Sequence, residues 1–253
     1  MQVITSIQNS KIQQVRKLHD HKARTKQRLF LAEGLRTIET LLLPNNLLLT
    51  QIFITPEVWD NCSEKFKNLP ENLITLVSNN ISQKISTTST TSGILAVFKT
   101  PPRPLENLSA GIVCVDLNNP GNLGTLIRTA AALNLNTIVT IAGTDPWGPK
   151  VIQASAGTIG KLKIYELSWP ELLNFKQDLK LCALAPNAKL NLLAPENIKI
   201  IKNNLLIIGN EAHGIPKNYL ETCDYQFSLP MPGHTESLNA AIAGAIAMYL
   251  STQ

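Results

Sequence analysis

Two kinds of residue are scarce in this 253-residue chain: aromatics, at 5%, and charged residues, at 16%, against 44% apolar. That balance excludes a disordered polyelectrolyte and fits a packed globular protein. Cysteine is sparse too. Cys62, Cys114, Cys182 and Cys223 stand far apart with no CxxC or Cys/His spacing, so neither a zinc ribbon nor a disulfide framework is expected, and no metal site. A reducing cytoplasm fits best. The longest weakly polar run, LNAAIAGAIAMYL, has 13 residues where a bilayer-spanning helix needs about 20. The N-terminal MQVITSIQNSK lacks an apolar signal segment, so the expectation is a soluble, unprocessed chain without a membrane partner. Internal repeats are missing, and so are the nucleotide-loop patterns. Residues 121–124 lack G-x-G-x-x-G order, and Gly160-Lys161-Leu162 breaks the G-K-[ST] rule at its third position, which argues against a classical dinucleotide or ATP site.

What is present in excess is positive charge, concentrated in one place. The net charge is +5 and the pI near 9.0, which favours polyanionic partners without separating nucleic acid from an anionic membrane. Within residues 11–36, Lys11, Arg16, Lys17, Lys22, Arg24, Lys26, Arg28 and Arg36 face only Asp20 and Glu33. This reads as a phosphate-facing surface, with a merely solvated charged face as the alternative.

The length suggests two domains of about 100 and about 150 residues. The clearest break is KTPPRPLENL, residues 99–108, where three prolines in four positions deny both helix and central strand. The expected division is residues 1–98, a proline-rich linker at 99–106, and residues 107–253. Before the break, Ile12, Val15 and Leu18 recur at helical spacing, a second helix is expected around Leu35–Leu42, and QIFITP, NLITLVS and Ile94–Phe98 read as strands flanking a Thr/Ser-rich loop. A small α/β domain follows. After it, AGIVCVDL, NTIVTIAG, KLKIYEL, LKLCALAP and NLLIIGNE are continuous apolar strands alternating with helices, notably 123–134, which indicates a parallel sheet covered on both faces. Such sheets bind ligands at the carboxyl ends of their strands.

Three loops carry chemistry, and each lies where that rule places a ligand. The first, NNPGNLGTLIRTAAALN, runs into a helix that aligns Leu123, Leu126, Ile127, Ala130 and Ala131 on one buried stripe, with Gly124 and Arg128 together on another side. Taken alone, Arg128 reads as a solvated helix residue. The second, IIGNEAHGIP at 207–216, sets Glu211 two residues before His213 among glycines, as an acid/base couple or half a metal site would. The third, LPMPGHTESLNAAIAGAIAMYL, passes His234 and Ser237, a good N-cap, into a helix of Ala, Ile and Gly that permits close backbone approach.

Together, Asn119-Pro-Gly-Asn122-Leu-Gly124-Thr-Leu-Ile-Arg128, Gly209-Asn210-Glu211-Ala-His-Gly214, and Pro230-Met231-Pro-Gly233 with Ser237-Leu238-Asn239 resemble the three motifs of the SpoU/TrmH branch of the SPOUT methyltransferases. The resemblance covers residues 107 to the end. More loosely, SIQNSKIQQVRKL, FLAEG and SGILAVF are similar to that family's substrate-binding domain, related to ribosomal protein L30e.

The resemblance implies a C-terminal parallel-sheet domain with a deep trefoil knot, a homodimer, and S-adenosylmethionine bound by Gly209, Asn210, Gly214, Leu229, Met231, Gly233, Leu238 and the loop at Ala185. It implies ribose 2′-O-methylation of RNA, most commonly ribosomal RNA, with Arg128 activating the hydroxyl and Asn122, Glu211, Ser237 and Asn239 organising the site. His213 falls at a free position of the pattern, and His234 is unassigned. Lys11, Arg16, Lys17, Arg24, Arg28 and Arg36 become candidate RNA phosphate contacts. With Phe30 the main aromatic nearby, backbone and shape recognition is expected over single-strand stacking. A tRNA 2′-O-methyltransferase and a non-catalytic RNA-binding or ribosome-assembly protein on the same fold are the alternatives.

Overall fold

A computed structural model describes residues 2–44, 47–233 and 238–253. The chain forms two compact units. One comprises Met1–Pro102 with Trp147–Gly160, the other Arg103–Pro146 with Lys161–Gln253.

In the first unit, helix α1 (Ser10–Lys17) starts where the Asn9 side chain accepts from Lys11 N, and it buries Ile12 and Val15 with Leu18 just beyond. Helix α2 (His21–Gln27) is capped by Asp20 and stops at Arg28, which takes the left-handed conformation (φ 52°, ψ 49°) and returns its N–H to the carbonyls of Arg24 and Thr25. That conformation suits glycine, and a side chain there costs about 1–2 kcal/mol. There follow β1 (Leu29–Glu33), α3 (Leu35–Leu42), β2 (Leu49–Ile54), α4 (Pro56–Asn61), α5 (Glu64–Lys67), β3 (Ile74–Leu76), α6 (Asn79–Ile85) and β4 (Ile94–Lys99). The sheet order is β1-β4-β2-β3, with β4 antiparallel to both neighbours and β2 parallel to β3. The buried Glu33 carboxylate gathers the Thr/Ser-rich loop. It accepts from Ser86 Oγ at 2.8 Å, from Thr87 N and Oγ1 at 2.6 Å each, and from Ser92 N at 3.3 Å. Residues 147–160, including α8 (Pro149–Ala154), pack with this unit, and the Trp147 ring lies 5.0 Å from that of Phe30.

The second unit is one seven-stranded sheet in the order β7-β6-β5-β10-β8-β11-β9, every pairing parallel. Its elements are β5 (Gly111–Val115), α7 (Pro120–Ala132), β6 (Thr137–Ile141), β7 (Lys163–Glu166), α9 (Trp169–Phe175), β8 (Leu181–Leu184), β9 (Leu190–Asn191), α10 (Pro195–Ile201), β10 (Leu205–Ile208), α11 (Lys217–Leu220), β11 (Tyr225–Ser228) and α12 (Ala240–Ser251). The five apolar strands foreseen from sequence are present. They are joined by β9 and β11, whose short half-polar sequences carry no continuous apolar signal. Val113, Val115, Val139, Ile141, Leu205 and Ile207 form the core on one face, and Ile112, Cys114, Ile138, Leu206 and Ile208 are buried on the other, as a parallel sheet covered on both sides requires. From β5 the chain builds outward through β6 and β7, whereas from β10 it continues on the other side through β11. The adjacent ends of β5 and β10 are thus the topological switch point, where an open parallel sheet leaves a crevice for a ligand.

Candidate functional site

The site grows from the two strand ends at that switch point. Beyond β5 the chain turns sharply at Asp116 (φ 50°), a conformation that Asp and Asn tolerate better than most residues. The carbonyl of Asp116 accepts from the side chains of Asn210 at 2.8 Å and Asn118 at 3.2 Å, which ties the loop after β10 to the loop after β5. Asn210 Oδ1 in turn accepts from the N–H groups of Ala212 at 2.8 Å and His213 at 3.0 Å. Asn210 and Gly214 exchange both backbone hydrogen bonds at 3.0 Å. Gly214 (φ 65°) closes this turn, and a Cβ on Gly209 would lie 2.4 Å from the Gly214 carbonyl carbon, so the turn folds flat against its own strand only with glycine at 209. From the other flank, Gly143 (φ 78°) after β6 brings its backbone onto Leu117.

Three polar side chains then form one chain of hydrogen bonds. Asn122 Nδ2 donates to Glu211 Oε1 at 2.6 Å, and Asn239 Nδ2 donates to Asn122 Oδ1 at 3.1 Å. Asn239 Oδ1 accepts from the N–H groups of Ala241 and Ile242, capping α12. The amide orientations are mutually enforced. A cap must offer its oxygen to the helix, so Asn239 presents its NH₂ to Asn122, and Asn122 presents its own NH₂ to the acceptor-only carboxylate. Asn122 is buried in the first turn of α7 behind Asn119, whose Oδ1 accepts from Gly121 N at 2.8 Å.

Electrostatics agree with that polarity. Partial desolvation pushes the Glu211 carboxyl upward. The hydrogen bonds from Asn122 and from the backbone at Glu211, Asn118 and Asn119 outweigh it and hold the group below its ordinary value. Glu211 is therefore a carboxylate at neutral pH, suited to orienting its donors rather than to holding a proton. Arg128 sits on the exposed stripe of α7 with Gly121 and Thr125, while Leu123, Leu126, Ile127 and Ala130 face inward; Ala131, expected on the buried stripe, is half-buried, and Gly124 is buried. Helical side chains lean toward the helix N-terminus, so Arg128 leans over the turn of Gly124 and Thr125. It has no hydrogen-bond or ion-pair partner among the described residues. The oriented anion comes from the loop after β10, and Arg128 is an exposed cation on α7.

Of the remaining predicted positions, Ala185, Leu229 and Met231 are half-buried at the ends of β8 and β11, and Leu238 is exposed. A side chain added at Gly214 or Gly233 would meet nothing within 4 Å. Ser237 and His234 lie outside the described residues. His213 is exposed, and its backbone N–H, not its ring, makes the contact above. No group of three or more His, Cys, Asp or Glu among the described residues could hold a metal ion. Asp116, Asn118 and Gly143 are site residues that the sequence reading does not single out. The signal for Asp116 is an Asp at the point where an apolar strand stops.

In the first unit, Lys11, Arg16, Lys17, Arg28 and Arg36 are exposed. Arg24 departs from the phosphate-contact expectation. It is 7% exposed, and its Nη1 donates to the carbonyls of Leu18 at 3.0 Å and His19 at 2.9 Å, so its charge satisfies the end of α1. Phe30 is fully buried, stacked on Phe98 at 5.4 Å, and presents no ring to a base.

A parallel α/β sheet with an Asn239–Asn122–Glu211 network at its switch point defines a strand-end binding site of the kind that positions a cofactor against a second substrate. The chain belongs to the SpoU rRNA Methylase family, whose model matches residues 109–249, and residues 9–96 match the MRM3-like substrate binding domain. It is 30% identical to the 23S rRNA (guanosine(2553)-2′-O)-methyltransferase RlmP of Bacillus subtilis, across 98% of either chain. A solved RNA 2′-O ribose methyltransferase superposes with a TM-score of 0.81 at 29% identity, covering 99% of this chain and 98% of that one. An AdoMet-bound rRNA methyltransferase from Sinorhizobium meliloti shares the fold, with a TM-score of 0.83 at 23% identity over 99% and 97% of the two chains. No helix among the described residues is long and apolar enough to cross a membrane.

Proposed function

We propose that this protein transfers a methyl group from S-adenosylmethionine to a ribose 2′-hydroxyl of ribosomal RNA in the cytoplasm. The observation that carries the reading is the network Glu211–Asn122–Asn239, anchored on the N-terminus of α12 and built on α7, the helix that also carries the exposed Arg128. Family membership and the activity of the matched Bacillus subtilis enzyme support it.

The strand-end loops suit the cofactor. Gly214 and Gly233 leave their backbones open, Leu229 and Met231 offer half-buried apolar surface, and Leu238 and Ala185 flank them, as a flat adenosine would require. S-adenosylmethionine supplies, when bound, an electrophilic methyl group on a sulfonium. The remaining tasks belong to the protein: to position the ribose and to stabilise negative charge on its 2′-oxygen as the proton leaves. A guanidinium offers five N–H donors and no acceptor, so Arg128 serves as a cationic clamp on the adjoining phosphate and the developing alkoxide rather than as a base. Glu211, kept ionised, holds Asn122 and with it the start of α7, so that the arginine arrives in one geometry. Asn239 links this arrangement to the third loop, and Ser237, outside the described residues, is proposed to take part in the same site.

We further infer a knotted C-terminal domain, as the resemblance implies, and a homodimer. On α12, Ile242 is 50% exposed, Ile246 38% and Tyr249 58%, one apolar stripe at helical spacing suited to a second copy. The phosphate-binding surface of the first unit is assigned to Lys11, Arg16, Lys17, Arg28 and Arg36. Incubation with labelled S-adenosylmethionine and total RNA tests the whole reading. Label should enter ribosomal RNA, and Arg128→Ala should reduce incorporation at least 100-fold, roughly the loss of one transition-state donor, with cofactor affinity by calorimetry within threefold. No incorporation into any RNA, or full activity in Arg128→Ala, overturns it.

A further inference from the structure

The first unit contains a cavity of about 460 Å³ whose walls are Gln27, Arg28, Leu48, Lys99, Thr100 and the Pro101-Pro102 pair. Its frame is rigid, because three neighbouring strand ends meet there. Thr100 N donates to Arg28 O at 2.8 Å, Lys99 N donates to Leu48 O at 2.9 Å, and Leu29 is in register with Lys99 across β1 and β4. Arg28 and Lys99 are both exposed, no acid lines the cavity, and neither cation has an ion-pair partner among the described residues. Leu48 is 55% exposed, an apolar surface beside two free charges.

Arg28 also occupies the left-handed position closing α2, where glycine would be the easier residue. A strained residue whose side chain reaches no partner in its own fold points to a use outside it. The volume is in the range of small-molecule sites, and a lone phosphate would leave most of it empty. Two cations, an apolar leucine, two prolines, an amide and a hydroxyl in one lining match a nucleotide better than any simpler anion.

We propose that this cavity receives one unstacked nucleotide of the substrate RNA, other than the one methylated. Its phosphate lies against Arg28 and Lys99, its base against Leu48 and the proline pair, and Gln27 and Thr100 meet the base edge. The proposal rests on the reading of the chain as an RNA methyltransferase and adds to it a specific anchoring point.

The test uses the full-length protein and an RNA that the wild type methylates. Arg28→Gly removes the cation while giving the backbone its preferred residue, so the fold is retained, and Lys99→Gln removes the other cation. Each should raise KM for RNA roughly five- to tenfold, as loss of one charge-assisted phosphate contact does, with kcat and cofactor affinity unchanged. Lys84→Gln, an exposed cation outside the cavity and outside the basic run at residues 11–36, should change KM less than twofold. Wild-type KM in both cavity variants, or an equal rise in Lys84→Gln, overturns the cavity and leaves the methyltransferase reading standing. If the wild type methylates no RNA, that reading fails instead. Titration with UMP and with inorganic phosphate, followed by amide shifts at Arg28, Lys99 and Thr100, then decides the cavity: shifts with UMP alone support it, and equal shifts with both, or none, overturn it.

Discussion

Replacing Asn122 by Asp changes one NH₂ group to an oxygen and almost nothing else. In the wild type that nitrogen stands 2.6 Å from Glu211 Oε1, while the other amide atom accepts from Asn239 at 3.1 Å. In Asn122→Asp the bond from Asn239 survives, because a carboxylate oxygen still accepts. The bond to Glu211 is replaced by two facing acceptors. A hydrogen bond to a charged group contributes about 1.5–3 kcal/mol, and that is lost. Two carboxylates about 4 Å apart repel by about 1 kcal/mol in water and about 4 kcal/mol at an effective dielectric of 20. With position 122 buried and Glu211 at the surface, about 2 kcal/mol is the appropriate middle value. The variant should therefore be about 3–5 kcal/mol less stable at pH 8.

The pH dependence is the diagnostic part. A repulsion of that size between the two carboxylates raises the pair's folded pKa above the unfolded carboxylate value. Stability gained by sharing a proton is complete below the unfolded carboxylate value near 4 and is lost as pH rises through the raised folded value. The deficit should shrink by about 1 kcal/mol between pH 8 and pH 5, and by about 2 kcal/mol in all below pH 4. Wild-type Glu211 runs the opposite way. Its pKa is depressed, so its contribution is present above the unfolded value and is lost as pH falls through the folded one, which narrows the gap further. Urea unfolding followed by circular dichroism at pH 5, 6, 7 and 8 measures this, with Asn122→Ala as a variant whose penalty stays level from pH 6 to 8. A deficit in Asn122→Asp that is flat, or that grows toward acid, would refute the proposed polarity of the network.

Other perturbations test single contacts. Glu33→Ala removes the acceptor for Ser86, Thr87 and Ser92 and should cost about 3–4 kcal/mol, with new protease cleavage between residues 86 and 93. An unchanged digest and melting temperature would show that the loop orders itself without the carboxylate. Gly143→Ala and Gly214→Ala both place a Cβ at positive φ, but only the first drives it to 2.5 Å from a backbone oxygen, that of Leu117. Gly143→Ala should lose about 2–4 kcal/mol and Gly214→Ala about 1 kcal/mol in urea unfolding, and equal losses would mean that the packing of Gly143 on Leu117 is not rigid.

Continuous Val/Ile/Leu runs make five strands of the large sheet readable, because a strand buried on both faces has no polar alternation to obscure it. The functional loops are readable for a related reason, since a loop at the carboxyl end of such a strand is where a parallel sheet places its ligand. Strand β11 escapes because YQFS is short and half polar, and β9 because two exposed residues, Leu190 and Asn191, carry no pattern. The burial of Arg24 escapes because local charge density says nothing about a side chain that folds back onto carbonyls five and six residues earlier. Packing of residues 147–160 with the first unit escapes because a tertiary preference leaves no mark at the proline-rich break.

What no spacing could reveal is the direction of the network. Glu211 and Asn122 are 89 residues apart and Asn122 and Asn239 are 117, so the motifs name the participants without saying who donates. The structure supplies the origin of that direction in the orphan N–H groups at the start of α12, which admit only an oxygen from Asn239. From there each amide has one free end, and the series can finish only on a group that accepts and does not donate. A glutamine at 211 could turn its oxygen toward Asn122, but its NH₂ would then face the backbone N–H groups of residues 118 and 119 that now converge on the carboxylate. An ionised glutamate is the residue that satisfies every donor at once. The capping of α12 thereby fixes which atom of each asparagine donates, and so fixes the donor that Glu211 receives, without contact between the helix and the carboxylate.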